Sequence, residues 1–201
     1  MGARYRGGRL AVLLLFLTLL AAGCGGDDPS DVATESGAGG GGGSVAERGK
    51  TFSDDEFRLT FTYPEGLEKG EVSKIDDSAG GGKAVARAAL GLDSDNLVLL
   101  TKYELNGVVT AANLPGVMPE LDGVVSELAR RPMAGEVTEI GGFPAARYDV
   151  VTLDEPAQGE SRLVYLFDQA VEYQLNCQST PAQRTELNAA CDQVLATLRR
   201  A

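Results

Sequence analysis

Alternating apolar and polar residues predict a folded region that begins near Thr51. Residues 57–63 place four apolar side chains on one face, as expected for a half-buried strand, and Pro64 follows them. Three more strands are predicted at residues 71–75, 84–92 and 97–105. The last two form a hairpin joined by the turn sequence Asp-Ser-Asp-Asn at residues 93–96.

The spacing of apolar residues then changes to that of a helix across residues 114–128, where Val117, Leu121 and Val125 share one face. Glycine and proline interrupt this segment, so its helix propensity is low. Strands are predicted again at residues 137–140, 145–153, 162–167 and 171–177. The unbroken apolar run at residues 163–167 is typical of a central strand buried on both faces.

The last predicted element is a helix that runs to the end of the chain. Residues 180–183 match a capping box with proline at the first helical position. Leu187, Cys191, Val194 and Leu198 then form one apolar stripe. The resulting order, ββββαββββα, predicts an α+β fold in which an antiparallel sheet carries a helix on each face.

The first 24 residues resemble the start of a bacterial lipoprotein. Three arginines precede an uncharged apolar run at residues 10–23, which is typical of an export signal and is shorter than the roughly 20 residues of a membrane-spanning helix. Leu-Ala-Ala-Gly-Cys at residues 20–24 resembles the lipobox, although that motif more often has leucine where Ala21 stands. The resemblance implies that Cys24 becomes the first mature residue and carries a diacylglyceryl group. A leftover cysteine in an ordinary signal peptide is the alternative.

The segment after Cys24 is rich in glycine and acidic residues and is predicted to be a flexible tether. The expected organisation is therefore a signal peptide at residues 1–23, a lipidated tether at 24–50 and a globular domain at 51–201. Removing the signal takes away three arginines and no acid, so the net charge changes from −11 to −14. This acidity excludes nucleic acid as a partner.

Three short motifs in the globular region resemble the PsbP-like family. They are Phe-x-Leu-x-Phe-x-Tyr-Pro at residues 57–64, Gly-Gly-Phe-Pro-Ala-x-Arg-Tyr at 141–148 and Tyr-x-Leu-x-Cys at 173–177. The resemblance covers residues 51–201 and implies an α/β/α sandwich. Plant members of the family are extrinsic subunits of photosystem II, but no residue of this chain carries that role over.

Cys177 and Cys191 remain when the lipidated cysteine is set aside, and an exported protein meets an oxidising compartment. Cys177 continues the apolar face of the last strand, and Cys191 lies on the apolar stripe of the last helix. A structural disulfide between them is predicted. A redox pair and two free thiols are the alternatives, although a catalytic redox pair usually has only two intervening residues.

The sequence predicts no catalytic residue, cofactor or metal site. It has no histidine, which excludes Ser-His and Cys-His nucleophiles and histidine-bound zinc. The glycine-rich residues 80–83 lack the other positions of a phosphate loop, and residues 93–97 lack those of a calcium loop. Arg58, Arg147 and Arg162 could line an anion site, but ion pairs with strand neighbours such as Asp149 or Glu172 are the usual role of such residues.

The function predicted from these observations is a non-enzymatic accessory or protein-interaction module. It would be lipid-anchored through Cys24 to the extracytoplasmic face of the cell membrane. The alternative is a carrier or sensor of a lipid or another small envelope ligand, and an enzyme is the third class. A carrier predicts an apolar cavity beneath the helix at residues 114–128. An interaction module predicts a closed core and an exposed apolar patch of roughly several hundred Å².

Overall fold

The computed structural model of the protein describes residues 49–70, 82–152 and 159–201. Within these residues, nine strands and two helices form the fold. In chain order they are β1 (Gly49–Asp54), β2 (Leu59–Pro64), β3 (Glu68–Gly70), β4 (Lys83–Gly91), β5 (Leu97–Val109), α1 (Leu114–Ala129), β6 (Glu136–Ile140), β7 (Phe143–Thr152), β8 (Glu160–Ser179), α2 (Arg184–Thr197) and β9 (Arg199–Arg200).

The strands form two antiparallel sheets, so the α+β class with antiparallel sheets and two helices holds for the described residues. A three-stranded sheet has the order β1-β2-β9, and a six-stranded sheet has the order β3-β4-β5-β8-β7-β6. The prediction of one sheet was wrong. β2 carries most of the first motif. It pairs with β1 and with the end of the chain, and its buried residues pack against the larger sheet.

β8 consists of two arms that run in opposite directions, and each arm pairs with a different neighbouring strand. Its 20 residues would extend over roughly 66 Å in a straight strand. However, Gln174 Nε2 lies only 3.3 Å from the Tyr165 hydroxyl. The chain turns at Gln169, which has a left-handed φ of 60°. β7 pairs with the first arm, before Gln169, and β5 pairs with the second arm, after it. The strands predicted at residues 162–167 and 171–177 correspond to these two arms.

The larger hydrophobic cluster joins α2 and the three-stranded sheet to one side of the six-stranded sheet. α2 contributes Leu187, Ala190, Cys191 and Val194, all of which are buried. Aromatic rings fill the space between the layers, and the rings of Phe52 and Phe61 stack with centroids 4.6 Å apart. Burial of this much apolar surface is the main source of the fold's stability.

The smaller cluster lies under α1. Its helix residues are Leu114, Met118, Leu121 and Val125, and its sheet residues come from β7 and the first arm of β8. Successive residues of that arm alternate between the two clusters: Leu163, Tyr165 and Phe167 pack with α1, whereas Val164 and Leu166 pack with the α2 cluster. Neighbouring residues of a strand point to opposite faces of the sheet. The residues of this arm that pack with α1 therefore point away from those that pack in the α2 cluster.

Several predicted boundaries differ from the structure. The strand predicted at residues 71–75 lies outside the described residues, and β1, which begins two residues before Thr51, was not predicted. α2 begins at Arg184 rather than at Pro181, and it has no side-chain cap. The capping box is absent because the Thr180 hydroxyl donates to the Asn96 side-chain oxygen (3.0 Å). The helix ends at Thr197, and Leu198 is extended so that the next two residues pair with β2.

The second motif forms a tight hairpin that holds the end of the chain. Gly141 and Gly142 both have positive φ and join β6 to β7. A Cβ atom on Gly141 would lie 2.2 Å from the carbonyl oxygen of Leu198, so a side chain has no room there. Arg200 continues this contact: its guanidinium lies 4.1 Å from the centre of the Phe143 ring. The two glycines of the second motif therefore allow the hairpin backbone to lie close to the backbone at the end of the chain.

Candidate functional site

The structure joins Cys177 and Cys191 in a disulfide with a Cα–Cα distance of 6.0 Å. Both residues are buried in the α2 cluster, so the bond links the second arm of β8 to α2. The predicted disulfide is confirmed. Cys24, the predicted lipidation site, lies outside the described residues.

Two of the three arginines considered for an anion site, Arg147 and Arg162, pair with the same carboxylate, that of Asp149. Arg147 Nε lies 2.9 Å from Asp149 Oδ1, and Arg162 bridges Asp149 (3.4 Å) and Asp192 (2.7 Å). Arg58 lies in a left-handed turn, and its carbonyl accepts a hydrogen bond from the Ala201 N–H. These contacts are the strand-neighbour and surface pairs that were the alternative to an anion site.

The acidic residues at positions 93–96 form a turn between β4 and β5. Asp93 Oδ1 accepts hydrogen bonds from the backbone N–H groups of Asp95 (2.8 Å) and Asn96 (2.9 Å). The hydrogen bond from the Asn96 side chain is the main reason that the pKa of Asp93 lies below its ordinary value. The carboxylate is thus used by the turn itself, which agrees with the prediction that this segment is a turn and not a calcium loop.

A mixed polar and apolar surface lies beside α1, on the same side of the six-stranded sheet. α1 packs on β6, β7 and the first arm of β8. On β4, β5 and the second arm of β8, the residues that alternate with those of the α2 cluster are mostly half-buried, although Thr101 among them is buried. We call this surface the open face. Its principal residues are Arg87, Leu99, Tyr103, Glu172, Gln174 and Asn176.

The strand register places the open-face residues in cross-strand rows. Tyr103 of β5 lies opposite Glu172 of β8, and Leu99 lies opposite Asn176. Arg87 of β4 lies opposite Thr101, which in turn lies opposite Gln174. Directly opposed residues have Cβ atoms about 5 Å apart, so the side chains within each row lie next to one another.

A chain of contacts connects α1 to the open face. Asp122 of α1 accepts a hydrogen bond from the Tyr148 hydroxyl (2.7 Å), and the Tyr148 ring packs edge-to-face against Tyr165. The Tyr165 hydroxyl accepts a hydrogen bond from Gln174 Nε2 (3.3 Å), and Gln174 Oε1 accepts one from the Tyr103 hydroxyl (3.2 Å). These contacts form a continuous path from α1 to the middle of the open face.

Glu172 is the most perturbed carboxyl group of this surface. Burial is the main cause that raises its pKa to about 7, and the nearby charge of Glu120 on α1 raises it further. Burial also raises the pKa of Tyr103 and of Tyr165, so both hydroxyls stay protonated and can donate hydrogen bonds. The open face thus holds a carboxyl group whose pKa is raised toward neutral pH.

Two buried polar atoms of the open face lack a hydrogen-bond partner within the described part of the chain: Arg87 Nε and Asn176 Oδ1. Buried polar atoms in folded proteins almost always have a partner. One donor and one acceptor are therefore available to a molecule that covers this surface.

Residues 49–70, 82–152 and 159–201 contain neither a membrane-spanning helix nor a metal-binding cluster. Neither helix there has the length and hydrophobicity needed to cross a membrane. In the same residues, no three acidic or cysteine side chains are grouped as a metal site would require.

A shallow depression of about 310 Å³ lies at the far end of the open face, between β3 and the turn that joins β4 to β5. Ala89 and Leu97 form part of its wall. It does not lie beneath α1, where a carrier was expected to hold its ligand. Leu114 and Val125, on the inner side of α1, are fully buried.

The open face was not predicted from the sequence, although the sequence contains a pattern that indicates it. Polar residues occupy positions 172, 174, 176 and 178, alternating with the apolar face that ends at Cys177. This pattern identifies a face that is not buried, but it does not tell which residues lie opposite it. Tyr165 and Tyr173 were both assigned to the core; Tyr165 is buried but also borders the open face.

The arrangement of sheets and helices defines a PsbP-like fold. The solution structure of cyanobacterial PsbP (CyanoP) from Synechocystis matches with a TM-score of 0.51 and 13% identity, covering 81% of this chain and 98% of that one. LpqN of Mycobacterium tuberculosis, described as involved in cell envelope biogenesis, has a TM-score of 0.46 and 12% identity, covering 77% of this chain and 86% of that one.

A protein of Bacteroides thetaiotaomicron has a TM-score of 0.46 and 12% identity over 76% of this chain. The match covers 48% of that protein, so the present chain spans about half of its length. No family model matches the sequence, and no curated protein matches it. At 13% identity the likeness to CyanoP shows the fold alone.

Proposed function

We propose that the protein is an exported lipoprotein whose folded domain acts as a non-enzymatic interaction module of the cell envelope. Residues 1–24 support the anchor, since they combine a basic start, a short apolar run and small residues before Cys24. Two or more acyl chains on that cysteine, such as palmitate, would hold the protein stably on the extracytoplasmic face of the membrane.

The anchor is tested by changing Cys24→Ser and separating membranes from soluble protein. We expect the variant to leave the membrane fraction, while a Thr34→Ala control in the tether stays bound. The mass of the N-terminus is measured in parallel, because an uncleaved signal would also keep the protein in the membrane. A cleaved wild-type chain without acyl mass would contradict the proposal.

The domain architecture proposed here is an α/β/α sandwich, with α1 and α2 on opposite faces of the six-stranded sheet. The alternation of residues along the first arm of β8 between the two clusters supports it. In this arrangement α2 and the three-stranded sheet cover one face fully, whereas α1 covers only part of the other. The uncovered part is the open face.

The open face is the observation that carries the interaction role. Its half-buried side chains combine aromatic rings, amides and a carboxyl group, which is typical of the partly polar surfaces that receive protein partners. Exposed Val124 and Leu128 on α1 add apolar area near it. A partner would supply hydrogen bonds to Arg87 Nε and Asn176 Oδ1.

Site-specific photo-crosslinking in intact cells tests this role. A photoreactive phenylalanine analogue replaces Asn176 on the open face or, as a control, Glu186 on the exposed side of α2. We expect the Asn176 probe to give a defined crosslinked product whose partner also crosslinks from Gln178. Equal products from both probes, or a product only from Glu186, would refute a partner on the open face.

A carrier or sensor of a small ligand is the second candidate, and the two unpartnered buried atoms favour it. Native mass spectrometry of the full chain, released gently from membranes, tests it. A reproducible extra mass that is lost in Arg87→Ala but kept in an Arg131→Ala control would favour carriage. A clean protein mass would leave the interaction module as the better account.

A further inference from the structure

Asn106 is directly followed by Gly107, whereas the other asparagines of the chain precede leucine, cysteine or alanine. The backbone nitrogen that follows an asparagine can attack the carbon of the side-chain amide. A Cβ atom on the following residue hinders this approach, and glycine has none. By its sequence, this dipeptide is therefore the most reactive asparagine position of the chain.

The strand register leaves the same dipeptide outside the ladder. β4 pairs with β5 as far as Glu104, and β8 pairs with Glu104 and next with Val109. Between these two pairs β5 runs from Glu104 to Val109, whereas β8 runs only from Val171 to Gln169. Residues 105–108 therefore have no Cα partner in the described parts of β4 and β8, and β5 is longer here than the strand beside it.

Asn106, Gly107 and Val108 are all exposed to solvent. A Cβ atom on Gly107 would have no heavy atom within 4 Å. The next point at which a side chain holds the backbone is Val108, whose carbonyl oxygen accepts a hydrogen bond from Asn113 Nδ2 (2.9 Å). Packing thus leaves room for the Asn106 side chain to reach the Gly107 nitrogen, and water reaches both residues.

Asp122 and Gly123 of α1 form a comparable dipeptide that the fold restrains. An aspartate followed by glycine can react in the same way. However, Asp122 Oδ1 accepts hydrogen bonds from the Tyr148 hydroxyl and the Gly135 N–H (2.7 and 2.9 Å). The Gly123 nitrogen lies inside the helix, where backbone N–H groups bond to carbonyls four residues earlier. Of the two dipeptides, the fold leaves the one at residues 106–107 able to react.

We propose that Asn106 is a site of spontaneous deamidation, with water as the co-reactant. The Gly107 nitrogen loses its proton and bonds to Cγ of Asn106, and the side-chain nitrogen leaves with that proton as ammonia. Water then opens the cyclic imide. Addition at Cγ breaks the new C–N bond and gives aspartate. Addition at the backbone carbonyl carbon breaks the original C–N bond and gives isoaspartate, so that the main chain runs through Cβ and Cγ.

Either product adds a negative charge between β5 and α1, and isoaspartate also lengthens the main chain. The extra length of β5 relative to β8 gives room for the added methylene group, so we expect the modified domain to stay folded. The inference rests on the strand register and on the exposure of residues 106–108, and it is independent of the function proposed above.

Peptide mass spectrometry tests the site after the full chain has been kept in detergent, in mildly alkaline water enriched in heavy oxygen, and digested in ordinary water. We expect Asn106 to gain heavy oxygen at least roughly tenfold faster than Asn176 or Asn188, and an isoaspartate methyltransferase to label the same peptide. Gly107→Ala should slow the reaction by roughly tenfold or more, since its Cβ hinders the attack. The control Asn188→Gln should leave the rate at Asn106 unchanged.

The same reaction in urea separates the effect of the fold from that of the sequence. Unfolding should change the rate at Asn106 by less than about threefold, whereas conversion of Asp122 should become roughly tenfold faster or more, because α1 no longer restrains it. Equal rates at Asn106, Asn176 and Asn188 in the folded chain, or an unchanged rate in Gly107→Ala, would overturn the proposal. Suppression of the reaction at Asn106 by folding as strong as that at Asp122 would overturn it too.

Discussion

In the proposed sandwich, the two faces of the six-stranded sheet are built differently. On the α2 side, helix, disulfide and second sheet cover strands from both ends of the sheet in one continuous cluster. On the α1 side, the helix covers a smaller cluster and leaves the open face half-buried. Stability is concentrated on one face, which leaves the other free to carry polar groups whose hydrogen bonds are incomplete.

Equivalent leucine truncations on the two faces test this division most strongly. Leu175→Ala on the α2 side should lower the free energy of unfolding by about 4 kcal/mol, because the residue is fully buried in a dense cluster. Leu121→Ala on α1 should cost about 2 kcal/mol, because a weak helix can relax around the cavity. Urea unfolding measures both. An equal or larger cost for Leu121→Ala would contradict the comparison.

Removal of the disulfide should have the next largest effect. The double change Cys177→Ala with Cys191→Ala opens a link across 14 residues and should cost about 3 kcal/mol. Thermal unfolding of this variant and of the wild type, each with and without reductant, measures the loss. The double variant should not respond to reductant. If reductant alone left the wild type unchanged, the bond would not contribute to stability.

The dependence of the unfolding free energy on pH should report the burial of Glu172 on the open face. Below pH 4.5, Glu172 is protonated in the folded and the unfolded chain and has no effect. As pH rises toward 7 the unfolded chain loses this proton first, since burial raises the folded pKa to about 7. Folding is therefore destabilised across this window, by on the order of 3 kcal/mol.

Glu172→Gln should remove this part of the pH dependence and be more stable than the wild type at pH 8. The exposed Glu139→Gln on β6 serves as the control and should follow the wild type. Denaturant unfolding at pH values between 4 and 8 makes the comparison. If the unfolding free energy of Glu172→Gln changed with pH in parallel with that of the wild type, burial of Glu172 would not be the cause of the pH dependence.

Local patterns predicted most of the elements correctly. The helix predicted at residues 114–128 matches α1 to within one residue, and both arms of β8 were anticipated as strands. β1 was missed because Phe52 is its only fully buried residue and glycines precede it. The end of α2 was misplaced because Leu198, buried in an extended conformation, continues the spacing of the helical stripe.

The candidate site could not be predicted in the same way. Cys177 and Cys191 were paired because both lie on apolar faces, which the sequence displays. The open face depends on which strands lie side by side, and on α1 covering one half of the sheet and not the other. Glu172 and Arg87 come from strands that are 85 residues apart in the chain, and no periodicity relates them. Tertiary packing alone creates their surroundings.

Hydrogen exchange of the protein in its own membranes, compared with the protein purified in detergent, tests the central claim that the open face receives a partner. The account predicts added protection in β4, β5 and the second arm of β8, with α2 and the three-stranded sheet unchanged. Added protection confined to α2 or to β1 and β2, or none at all, would contradict it and place any interaction on the other face.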